Sequence, residues 1–117
     1  MTTPPPSPAR RALGELDILL GHVIRLRDAG DRNRYNTDDA CRWALHRLWI
    51  AIGNEARAYP GVAGRSRYRA QPWAALYVQR NILARQRLAD IDDNRIWRAT
   101  ALRAEQQFRP RVRAALT

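Results

Sequence analysis

Apolar residues in this chain recur at intervals of three and four, and nowhere at an interval of two over a useful length. That single pattern selects helices and leaves no room for a sheet. In LGELDILLGHVIRLRD, the residues Leu13, Leu16, Leu19, Leu20, Val23 and Ile24 fall on one stripe, with Ile18 and Leu26 flanking it. Gly30 stands where this first helix should stop, and DRNRYN reads as a polar connection. Thr37, followed by Asp38 and Asp39, reads as the N-cap of a second helix. Its inward stripe is expected at Trp43, Ala44, Leu48, Ala51, Ile52 and Ala56, and Leu45, Trp49 and Ile50 widen it. A helix that wide belongs at a bundle centre or at a dimer face. Pro60 and Gly61 are expected to end it.

GVAGRSRYRAQ reads as a loop, and Pro72 takes the first position of a third helix carrying Trp73, Leu76, Tyr77, Arg80, Leu83 and Ala84. Asp90 or Asp92 can cap a fourth helix, with Ile96, Trp97, Ala101, Leu102 and Phe108 facing inward. Pro110 should kink that helix or split off a short fifth. The predicted fold is all-α, an up-and-down bundle of four main helices over residues 9–117, preceded by a disordered Pro-rich tail at 1–8.

A length of 117 residues supports one compact domain. No apolar run is long enough to span a membrane, and MTTPPPSPARR lacks the apolar core of a secretory signal, so a cytoplasmic home is the default expectation. Cys41 is the only cysteine and reads as a small buried hydrophobe. His22 and His46 stand in no metal-ligand spacing, and no metal or cofactor is expected. The charge says more. All 21 basic residues are arginine, against 11 acidic ones, for a formal net charge of +10. A GC-rich genome explains arginine in place of lysine, but not an excess that large. The excess implies an anionic partner, either nucleic acid or an acidic protein.

The order of landmarks narrows the choice. IAIGNEARAYP ends the second helix, QPWAALYVQRNILA opens the third, and DIDDNRIW leads into the last. This ordered set resembles the HEPN superfamily, and within it the HepT-like toxins of prokaryotic toxin–antitoxin operons. Their pattern runs Ile-Gly-Glu-Ala, Tyr-Pro, Pro-Trp, Arg-Asn-x3-His and Val/Ile-Trp. The likeness covers roughly residues 12 to 116. Arg80 and Asn81 match the Arg-Asn pair, Ile52 and Gly53 match, and Asn54 stands where the family usually has Glu. The motif histidine falls on Arg85. A tyrosine that the partner nucleotidyltransferase antitoxin modifies in some members falls on Arg87.

The resemblance implies a homodimeric endoribonuclease that cuts cellular RNA without metal, using the 2′-hydroxyl as nucleophile. Partners would be RNA, a second copy and a nucleotidyltransferase-type antitoxin. Candidate catalytic residues are Arg80, Asn81 and Arg85, and candidate RNA-binding residues are Arg80, Arg85 and Arg87. A general base and a cation are the two groups such chemistry needs. Histidine suits the first task and arginine the second. Arg85 holds its proton throughout the physiological range, so it binds phosphate but accepts no proton. Losing a base costs about 10²–10⁴ in rate, and this chain is expected to be inactive or severely weakened. His22 or His46 is a remote substitute. Positions 80 and 85 lie about 140° apart on an ideal helix and converge only if the helix bends or two chains share the site. The rival reading is a non-catalytic module that binds RNA or its antitoxin. Blander roles are open beside these: Arg65, Arg67 and Arg69 as a polar loop, the four tryptophans as core, and Asp90, Asp92 and Asp93 as caps.

Overall fold

The computed structural model describes residues 7–63 and 73–117, and no strand occurs among the described residues. Helix α1 is Pro8–Ala29. Ser7 caps it by accepting the Arg10 N–H at 3.2 Å, and Pro8 sits in the first turn, where a missing N–H costs nothing. The predicted tail at 1–8 is therefore too long at its end; its first six residues lie outside the described ones. Gly30 ends α1 as the sequence predicts.

DRNRYN is not a mere connection. Asp31 accepts the Arg34 N–H and starts a short helix α2, Arg32–Thr37, whose Tyr35 is fully buried. This displaces the expected cap: Thr37 closes α2, and Asp38 caps α3 by accepting the Ala40 and Cys41 N–H groups. Helix α3 is Asp39–Ala63, so its backbone passes the predicted stop at Pro60. Helix α4 is Trp73–Arg85, and Pro72 lies outside the described residues. A 3₁₀ turn at Leu88–Asp90 leads to the last helix, α5, over residues 93–116. Asp92 caps α5 by accepting the Asn94 and Arg95 N–H groups.

Helix α5 is not wound uniformly. Asp93–Arg98 and Arg109–Leu116 are α-helical, and Ala99–Phe108 between them is π-wound. The Arg109 N–H bonds to the Ala104 carbonyl, five residues back. Pro110 follows directly. Its ring would crowd the carbonyl four residues back in a tight α-turn, and the wider winding relieves that crowding. The expected split at Pro110 takes the form of this change of winding, with Arg109–Leu116 as a short α-helical segment of its own. It also turns Leu102, expected inward, to half exposure at 50%.

The described residues form an all-α bundle, with α1 against α3, α3 against α4, and α5 packed on α1. Leu16, Leu20 and Val23 of α1 meet Leu45, Trp49 and Ile52 of α3 in one core with Ile96, Phe108 and Val112 of α5. Each fully buried side chain of this size contributes roughly 1.5–3 kcal/mol. The Trp49 indole N–H donates to the Thr100 hydroxyl at 3.1 Å, and its ring meets Phe108 edge-on. Helix α3 uses its breadth inside the chain, between α1 and α4. Its buried line is Cys41, Leu45, Trp49, Ile52, Ala56 and Tyr59, whereas Trp43, expected inward, is 51% exposed. A helix apolar on several sides does not reveal which side faces the centre.

Candidate functional site

Helices α3 and α4 approach each other closely at Gly53. A Cβ there would lie 2.1 Å from the Arg80 Cβ and 2.8 Å from the Leu76 carbonyl oxygen. Only glycine lets the two backbones approach this far. The approach has a chemical result, because it lays the Arg80 side chain across α3. The Arg80 Nε–H donates to the Asn54 side-chain oxygen at 2.9 Å, and an Nη1–H donates to the Asn81 side-chain oxygen at 2.9 Å. Both acceptors are neutral amides. Among the described residues no carboxylate pairs with Arg80, so its positive charge is held in place without being cancelled. A glutamate at position 54 would cancel it. One turn along the seam, the Arg57 Nη1–H donates to the Tyr77 hydroxyl at 3.0 Å, and its guanidinium lies 5.2 Å from that ring's centre. The seam thus presents two oriented guanidinium groups between neutral partners, which suits a phosphate backbone.

Of the sequence-predicted residues, Arg80 and Asn81 are brought together, and Asn54 joins them. Arg85 is the last residue of α4 and is exposed. Because α4 is α-helical throughout Trp73–Arg85, no bend turns Arg85 toward Arg80, and the two do not converge within one chain. Arg87 caps the 3₁₀ turn and is exposed. Arg65, Arg67 and Arg69 lie outside the described residues.

Neither histidine faces Arg80. The exposed His22 meets Arg25 on its own helix, ring Nδ1 to guanidinium at 2.6 Å. His46 is buried, with Nε2 2.9 Å from the Tyr35 hydroxyl, which in turn donates to an Asp93 carboxylate oxygen at 2.8 Å. The hydroxyl spends its one proton on Asp93, so His46 must be the donor in their bond and carries its proton on Nε2. Burial pushes the His46 pKa below its ordinary value; Asp93 opposes this and Arg42 adds to it. Burial, reinforced by Asp93, pushes the Tyr35 phenol well above its ordinary range. This Tyr–His–Asp network ties α2, α3 and α5 together and was not anticipated from the sequence. The one available signal was a lone tyrosine in the polar stretch after a capping Asp31.

Among the described residues, no group of three or more His, Cys, Asp or Glu side chains is placed to hold a metal ion, and no helix is long and apolar enough to cross a membrane. No family model matches this chain, and neither does any curated protein or solved structure.

Proposed function

We propose that the α3–α4 seam grips the RNA backbone, and that the chain is a HEPN-type protein of the HepT-like toxin kind whose RNA-cutting chemistry is lost or severely reduced at Arg85. The observation that carries this reading is Arg80, oriented by Asn54 and Asn81 and uncancelled by any described carboxylate. Such a fork stabilises the charge that develops on a phosphate under attack. The landmarks of the sequence supply the rest: action on cellular RNA in the cytoplasm, a homodimer sharing one cleft, and a nucleotidyltransferase-type antitoxin as the neutralising partner.

The competing reading is a non-catalytic module that binds RNA or the antitoxin through the same seam. What favours it is the lack of a proton acceptor, since His46 is buried in its own network and His22 lies on α1. Arg85→His separates the two. A histidine there offers a base with a pKa near neutrality. It would take the 2′-hydroxyl proton, the oxygen would attack the adjacent phosphorus, and the 5′-oxygen of the next nucleotide would leave, taking up a proton from water as the imidazolium returns its own to solvent. The expected products are a 2′,3′-cyclic phosphate and a 5′-hydroxyl, formed in the presence of EDTA. Adding Arg80→Ala should abolish cleavage. An Arg85→His protein that folds, dimerises and leaves a broad RNA panel intact would replace the nuclease reading with the binding module.

A further inference from the structure

The π-wound stretch of α5 gathers arginines that an α-helix would scatter. Residues five apart stand about 140° from each other on an α-helix, whereas in a stretch bonded five residues back they come round toward the same side. Arg98 and Arg103 are five apart, and they line one hollow of about 280 Å³ together with Arg95, Asn94 and Asp92. Among the described residues none of the three arginines forms an ion pair. The one carboxylate in the hollow, Asp92, accepts the backbone N–H groups of Asn94 and Arg95 as the helix cap. Arg103 is further pre-set. Its Nε–H donates to Gln107 at 2.8 Å, and its guanidinium lies 4.7 Å over the Phe108 ring, which leaves the outer edge of the fork for a ligand. Burial and the neighbouring charge of Arg95 both loosen the Arg103 proton, the sign of cations packed without a counter-ion.

A second hollow, of about 420 Å³, adjoins the first and shares Asn94 and Arg98 with it. Its other walls are of a different kind: Trp97, Ala101 and Leu102, with Arg32 at the rim. Arg32 is fixed there by donating to Asn94 at 2.7 Å and to Asn36 at 3.1 Å. An anion-binding hollow beside an aromatic and apolar one fits a ligand with a phosphate at one end and a flat ring at the other.

We infer that residues 94–103 form a nucleotide-binding site, with phosphate held by Arg95, Arg98 and Arg103 and the base against Trp97 and Leu102. It lies on α5, which packs along α1, and so is separate from the Arg80 seam on α4. The nucleotide is either a free one or a unit of an RNA chain, and both present the same chemistry here.

Titration with ADP and UDP, with inorganic pyrophosphate, and with a single-stranded oligoribonucleotide tests this. On the unaltered protein, a nucleoside diphosphate should shift the NMR signals of the Trp97 indole N–H and of the Arg98 and Arg103 Nε–H groups, and should bind at least fivefold more tightly than pyrophosphate. The Arg95→Gln/Arg98→Gln protein should lose at least tenfold in that affinity, with far-UV circular dichroism unchanged. If the oligoribonucleotide displaces ADP, and its salt dependence flattens in the double variant by about 0.7 per lost phosphate contact, RNA is the source. If it does not compete, a free nucleotide is the ligand. Equal affinity for pyrophosphate and ADP, or absence of these shifts, overturns the site.

Discussion

Gly53 does more for the candidate site than any charged residue does alone. Its missing side chain sets the α3–α4 separation, and that separation lets Arg80 reach Asn54. A methyl group at this position must push against the Arg80 stem and the backbone carbonyl of Leu76, and backbone cannot step aside cheaply. Gly53→Ala is therefore expected to lower stability by about 1–3 kcal/mol, the usual cost of overpacking, even though alanine is the better helix former. It should also weaken RNA binding by misplacing Arg80. Urea midpoints, read beside RNA affinity under conditions where the variant is folded, check both. A variant as stable as its parent, with unchanged affinity, would mean that the close crossing sets nothing. Of these residues, sequence landmarks pick out Arg80 and Asn81. The role of Gly53 becomes visible only when the partner helix is in place, because glycine in a helix carries no sign of what approaches it.

Among elements, the long helices were legible from spacing alone, and their ends were nearly so where a glycine stop or a capping carboxylate marks them, as at Gly30 and Asp92. Two of the misreadings, Leu102 and α2, trace to periodicity, which assumes a fixed winding and a minimum length. Apart from Ala99, the buried residues of α5 recur every four positions, at Ile96, Thr100, Ala104, Phe108 and Val112. A stripe drawn at 3.6 residues per turn drifts off that line and admits Leu102 in error. Helix α2 is too short to show a stripe, and its one buried side chain, Tyr35, makes its mark through hydrogen bonds. Tyr35→Phe should strand the His46 N–H and one Asp93 oxygen, destabilising the fold by about 1–3 kcal/mol. The network also fixes a pH dependence. His46 has a depressed pKa in the folded chain, so the unfolded chain binds the proton first as pH falls. Stability should be level above about 6.5, the ordinary histidine value, and decline as pH drops from there through the folded value. Asp17 adds a later loss. Burial raises its carboxyl, but bonds from Arg109 and Arg113 outweigh this and hold it below its ordinary value, so its contribution disappears only in stronger acid. Thermal midpoints from pH 8 to 5 should show the histidine step in the parent and lack it in His46→Gln.

For the whole molecule, the question is whether one chain suffices. Because α3 is consumed between α1 and α4, its breadth no longer argues for a second copy. Under the proposed RNA-cutting reading the case for one rests on Arg80 and Arg85, which stand about 140° apart on α-helical α4. Helix α4 also carries Val78, 48% exposed, and the half-buried Ile82, seven and three residues before Arg85 and so on its side of the helix. Pairing through that stripe would bring the Arg85 side chains of two chains toward one axis, close to both Asn81 residues. Like charges meeting there oppose association, and an anion between them reverses the sign. Dimerisation and RNA binding should therefore be linked, each strengthening the other by the same factor. Light scattering at micromolar concentration is expected to give twice 13.5 kDa, with the dimer tightening when a short RNA is added. Val78→Asp should return the mass to 13.5 kDa and, in the Arg85→His background, remove cleavage while the helical circular dichroism stays intact. A monomeric Val78→Asp/Arg85→His protein that still cuts RNA at the parent rate would show that a single chain houses the whole site, and the shared cleft would have to be abandoned.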